Sequence, residues 1–83
     1  MESTNEKIGL LIAQIRQERG LTQTDAGRIL GIPQPQVSAL ARNRSGNFSI
    51  GRLIEFLTAL GQDVKITVTP ARKPHGQMSV VVA

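Results

Sequence analysis

Three residues, Gly31, Ile32 and Pro33, separate two short stretches of helical apolar spacing, and no other feature of this 83-residue chain restricts its fold so strongly. Before them, Thr22 with Asp25 three residues later forms a capping-box pair, and Ala26, Ile29 and Leu30 supply an apolar face that ends at Gly31. After them, Val37, Leu40 and Ala41 give the next helix its apolar side. A connection this short cannot carry the chain back antiparallel over any distance. The two helices must therefore meet at a steep angle, as in a helix-turn-helix.

The flanking sequence supplies two more helices. Ser3 with Glu6 is a second capping-box pair, and Ile8, Leu11, Ile12 and Ile15 follow at helical spacing until Gly20 offers a stop. The polar stretch RNRSGN, Arg42 to Asn47, is turn-prone; Ser49 can then cap a helix whose face is Ile50, Leu53, Ile54, Leu57 and Leu60, ending at Gly61. Beyond it VKITVT alternates, with Val64, Ile66 and Val68 on one side and Lys65, Thr67 and Thr69 on the other, which predicts a half-buried strand over 64–69.

A single strand leaves its backbone donors and acceptors unpaired. Either a second copy pairs with it about a two-fold axis, or Met78 to Val82 folds back across PARKPHGQ as a hairpin. The loop is long and holds two prolines, so the dimer is the favoured pairing. The predicted fold class is mainly α: a four-helix helix-turn-helix domain followed by one C-terminal β-strand paired across a homodimer. The domain covers residues 1–69 and includes the strand. Residues 70–83 are expected to be a flexible tail, disordered in the free chain or paired with a partner's sheet edge.

Size and composition narrow the function. A domain this small buries only about 60% of its unfolded surface, so a partner subunit would help it. There is no cysteine, hence no disulfide framework or thiolate chemistry. The polar start MESTNEKIGL is no targeting segment, and no apolar run approaches membrane-spanning length; a soluble, cytoplasmic protein without membrane association is expected. The only histidine, His75, lies between Pro74 and Gly76, and no paired carboxylates, metal-ligand cluster or phosphate-cradling loop appears. Neither an enzyme nor a resident metal or cofactor is indicated.

Charge points toward phosphate. The net charge is +4, and no acid occurs from Ala26 to Ile54, while Arg28, Arg42, Arg44 and Arg52 fall within that interval. Such a surface attracts polyanions. Two phenylalanines with no Trp or Tyr argue against a base-stacking platform for single-stranded nucleic acid. Proline in a first helical turn loses no hydrogen bond, so Pro35 begins the third helix and Gln34 and Gln36 project from its leading end. A helix entering the major groove reads bases with its first residues, and a glutamine amide can both accept from and donate to adenine. Glutamine is also a common neutral surface residue. Here the tight turn, the arginines and the missing acids all coincide with it.

The run GLTQTDAGRILGIPQPQVSALARN resembles the helix-turn-helix of the phage Cro and repressor (XRE-type) DNA-binding family. The similarity extends from Ile8 to Pro70, toward a compact branch with a C-terminal strand that includes HigA-type antitoxins. It implies roles residue by residue. Gln34 falls on the main base-reading position, with Gln36 sharing in it; Pro35 and Ala39 are base-facing positions limited to apolar contact. Gln23 matches a residue that touches a phosphate and braces Gln34. Thr22, Arg42, Arg44, Ser45 and Asn47 fall along the phosphate backbone, and Val64, Ile66 and Val68 on the dimer strand.

The chain departs from the family pattern at three positions. Gly27 replaces the usual alanine, at a cost in helix propensity of about 0.5–1 kcal/mol; Asn43 stands where glycine is common; Ala41 replaces a frequent glutamate. The function implied is a sequence-specific repressor that binds double-stranded DNA and autoregulates its own operon as a homodimer. The alternative is an antitoxin that chiefly neutralises a HigB/RelE-like endoribonuclease toxin.

Overall fold

The computed structural model describes residues 4–42 and 48–82, so the expected cap Ser3 and the expected phosphate contacts Arg44, Ser45 and Asn47 lie outside the described residues. Four helices form: α1 (Thr4–Glu18), α2 (Gln23–Leu30), α3 (Gln34–Ala41) and α4 (Ile50–Ala59). α1 packs against α3 and α4, and α2 against the same two helices. The core between them holds Ile8, Ile12 and Ile15 of α1, Ala26 and Leu30 of α2, Val37 and Leu40 of α3, and Leu53, Phe56, Leu57 and Leu60 at α4.

Local chemistry fixes the boundaries. The Thr22 hydroxyl accepts from the Asp25 amide at 3.0 Å, and the Thr22 amide donates back to the Asp25 carboxylate at 3.3 Å, a complete capping box. Ser49 caps α4 by accepting from the Arg52 amide at 3.2 Å. Pro33 is the extended residue before α3, and Gln34, although it precedes Pro35, is already helical.

The turn between α2 and α3 rests on two glycines. Gly31 adopts φ 72°, a conformation that costs other residues energy, and its amide bonds back to the Gly27 carbonyl. The Ile32 amide also donates to that carbonyl, at 3.0 Å. Gly27 itself is needed for close approach: a Cβ there would lie 2.7 Å from the Ile32 carbonyl oxygen. Ile32, the middle residue of the turn, is buried in the core, while Gly31 and Pro33 on either side are exposed.

Two expected apolar positions turn outward, and one unexpected aromatic turns inward. Ile29, expected on the face of α2, is 41% exposed, because over eight residues Ala26 and Leu30, one turn apart, already define the buried stripe. Ile50 is likewise exposed at the first residue of α4. Its place is taken by Phe56, fully buried and edge-on to Phe48 with ring centroids 5.2 Å apart.

No strand is present among the described residues, which corrects the expectation for 64–69. Residues 62–71 carry neither helix nor ladder, and Val64, Ile66 and Val68 are 37%, 73% and 90% exposed. Extended backbone needs a neighbour, and no backbone hydrogen bond joins residues 64–69 to another segment among the described residues. Further on, Val80 is half-buried against the core, and Lys7 Nζ donates to the Val80 carbonyl at 2.9 Å, so the C-terminal segment touches the body.

Candidate nucleic-acid interface

The capping box starts α2 at Gln23 and the Pro33–Gln34–Pro35 sequence starts α3 at Gln34, and the tight turn brings these two helix beginnings together. Gln34 Nε2 donates to Gln23 Oε1 across eleven residues of sequence. This bond settles what each amide has left to offer. Gln23, its oxygen occupied, keeps its two N–H groups for a phosphate. Gln34 keeps its oxygen as an acceptor and its second N–H as a donor, the pair of functions that an adenine edge answers in the major groove.

Around this pair Gln34, Pro35 and Gln36 are exposed at the leading end of α3, with Ala39 half-buried one turn on. Thr22 is exposed beside them, its oxygen engaged in the cap and its hydroxyl hydrogen still available. The Gln36 and Val37 amides bond to the Pro33 carbonyl at 3.0 and 3.3 Å, and Pro35 has no amide hydrogen. The attraction for anions expected from this helix end is therefore carried by side chains more than by free backbone donors.

Proximity in space revises the charge picture. Arg28 pairs with Asp25 at 3.7 Å, and Arg52 pairs with Glu55 at 3.3 Å while lying 5.0 Å from the centroid of the Phe56 ring. The acid-free interval in sequence is thus flanked directly by Asp25 and Glu55, each of which folds back on an arginine one helical turn away. Arg42, exposed at the end of α3, has no such partner among the ion pairs of the described residues. Elsewhere, Arg16 donates to the Leu21 carbonyl at 2.8 Å and Arg19 to the Leu60 carbonyl at 2.9 Å, which makes both struts between helix ends.

Asp25 is the titratable group whose environment matters here. Hydrogen bonding to Thr22, first through its side chain and then its backbone amide, lowers the Asp25 pKa, and Arg28 adds to the effect. Among the described residues no group of three or more His, Asp or Glu side chains is placed to hold a metal ion, and no helix is long and apolar enough to cross a membrane.

Comparison with known proteins agrees with this geometry. A family model described as a helix-turn-helix domain matches residues 5–69. A solved structure of an XRE family transcriptional regulator superposes with a TM-score of 0.84 at 34% identity, covering 96% of this chain and 92% of that one. No curated protein matches the sequence.

Proposed function

The chain belongs to the XRE-type helix-turn-helix family of DNA-binding transcriptional regulators, and from that premise we propose that it is a sequence-specific repressor that works as a homodimer on its own promoter. The observation that carries the base-reading part is the Gln23–Gln34 hydrogen bond at the start of α3. It fixes a donor and an acceptor side by side on an exposed helix end. Gln34 and Gln36 read base edges, while Pro35 and Ala39 offer apolar contact to a thymine methyl. Thr22, Gln23 and Arg42, joined by Arg44, Ser45 and Asn47, hold the phosphate backbone and set the register.

Two such helices, related by a two-fold axis, enter successive major grooves about 34 Å apart on a near-palindromic site. The axis passes through the Val64–Thr69 segment, whose exposed Val64, Ile66 and Val68 become buried when two copies pair. Fluorescence anisotropy against DNA from upstream of the gene and a scrambled control, at two salt concentrations, tests the proposal. We expect the upstream DNA to bind at least about a hundredfold tighter near physiological salt, with two chains per site. Equal binding to both DNAs, abolished alike by salt, would overturn base reading by the glutamines.

A further inference from the structure

Of the eight large apolar side chains exposed among the described residues, six lie beyond Gly61: Val64, Ile66, Val68, Met78, Val81 and Val82. They fall on two six-residue segments, 64–69 and 77–82, which border one cleft over Ile8, Leu11 and Ile15 of α1 and Ile54 and Leu57 of α4. No backbone hydrogen bond joins the two segments. An apolar surface this concentrated, bounded by two segments with no backbone bond between them, marks an interface.

The sequences of the two segments fit each other in one antiparallel register. Setting Ile66 opposite Val80 places Val64 opposite Val82 and Val68 opposite Met78, all on one face. The other face then pairs Thr67 with Ser79 and Thr69 with Gln77, and Lys65 meets Val81, so that no like charges oppose. Pro70 to Gly76 becomes the connecting loop and keeps Arg72 and Lys73 in solvent. Within 77–82 the burial already present agrees with this parity. Val80 is half-buried against the core, whereas Val81, the next residue, is 87% exposed.

The free edge of the 64–69 segment suits a second copy. With Ile66 on the two-fold axis, Val64 faces the partner's Val68 and Lys65 faces its Thr67; moving the axis to Lys65 would oppose two lysines. A two-stranded ribbon alone is marginal in water, and three or more strands with an apolar face are stable. We propose that residues 77–82 are the outer strand of the dimer interface. Each chain closes its own hairpin as two copies meet, giving a four-stranded antiparallel sheet with its apolar face over the α1–α4 clefts. The proposal rests on the homodimer reading above and adds the strand order 77–82, 64–69, 64–69, 77–82.

The chain has no cysteine, so paired cysteines report this register without background. In the full-length Thr67→Cys/Ser79→Cys variant the new thiols are directly opposite on the solvent face, within disulfide reach. In Thr67→Cys/Gln77→Cys they are diagonal and farther apart. Light scattering on the unaltered chain measures association, and non-reducing electrophoresis after mild oxidation measures cross-linking. We expect a dimer, with the 67–79 bond forming within each chain roughly tenfold faster than the diagonal one. A dimer in which the two variants cross-link alike overturns the outer strand and leaves the homodimer intact. Cross-links that join two chains overturn the hairpin as a within-chain unit. A monomer at every concentration overturns the homodimer and the sheet together.

Discussion

α4 and the 64–69 segment are the two most regularly patterned apolar stretches in the chain, and they meet opposite fates. In α4, Leu53, Phe56 and Leu57 are buried; in 64–69, exposure rises along the segment until Val68 is almost fully in water. Apolar content does not explain this. A helix satisfies its own backbone and needs only one face covered, which α1 provides, whereas extended chain must find hydrogen-bond partners outside itself. One pattern folds within the molecule. The other awaits another strand.

The sharpest way to break this comparison is to delete side-chain volume in each region. Leu53→Ala, at a fully buried position, should cost about 2–5 kcal/mol in denaturant titration, and Val68→Ala close to nothing in dilute solution. Similar losses from both would mean that the C-terminal segment is already part of the core in the isolated chain.

The turn between α2 and α3 offers a second test, in which propensity and packing predict opposite signs. Replacing a helical glycine with alanine ordinarily stabilises by up to about 1 kcal/mol. Gly27→Ala should instead destabilise by about 1–3 kcal/mol, because the new methyl meets the Ile32 carbonyl at 2.7 Å. A raised melting temperature would show that this turn opens at little cost.

Gln34→Ala separates the folded body from its reading surface. It should leave stability unchanged, because Gln34 is exposed, yet weaken binding to the cognate site by roughly 1–3 kcal/mol with little effect on random DNA. Equal losses on both DNAs would assign Gln34 to the phosphate surface. The smallest effect is expected from acid. The folded pKa of Asp25 is depressed, so its capping contribution is complete above the ordinary value of 3.8 and is lost as pH falls below it. Thr22→Ala should flatten that dependence in circular dichroism; an unchanged acid profile would remove the capping box as its source.

How much of this was legible in sequence depended on the range of the interaction. The capping box, the three-residue turn and the helix stops are set within a few residues, and they lie where the spacing placed them. Phe56 lies three residues after Leu53 and four before Leu60, on the same helical stripe, so periodicity alone places it inside; the burial of Ile32 depends on the fit of the turn over Gly27, which periodicity does not record. The pairing of Arg28 and Arg52 has a simpler origin: Asp25 and Glu55 sit just outside the acid-free interval, so the composition of the interval does not record them. The alternation over 64–69 is plain in the sequence, but the strand it predicts is absent among the described residues, because alternation specifies a face without supplying a hydrogen-bonding neighbour.

The hydrogen bond between Gln23 and Gln34 also places the grammar of recognition partly outside the recognition helix. In that bond Gln23 presents its oxygen and Gln34 its nitrogen, which leaves the Gln34 oxygen as the acceptor that the proposed reading turns toward the groove. A Gln23→Lys variant would present a donor instead, turn the Gln34 amide over, and exchange acceptor for donor at the point that meets the base edge. Selection of binding sites from random DNA would register this as a changed preference opposite Gln34. An unchanged preference would show that the orientation of the Gln34 amide does not depend on Gln23.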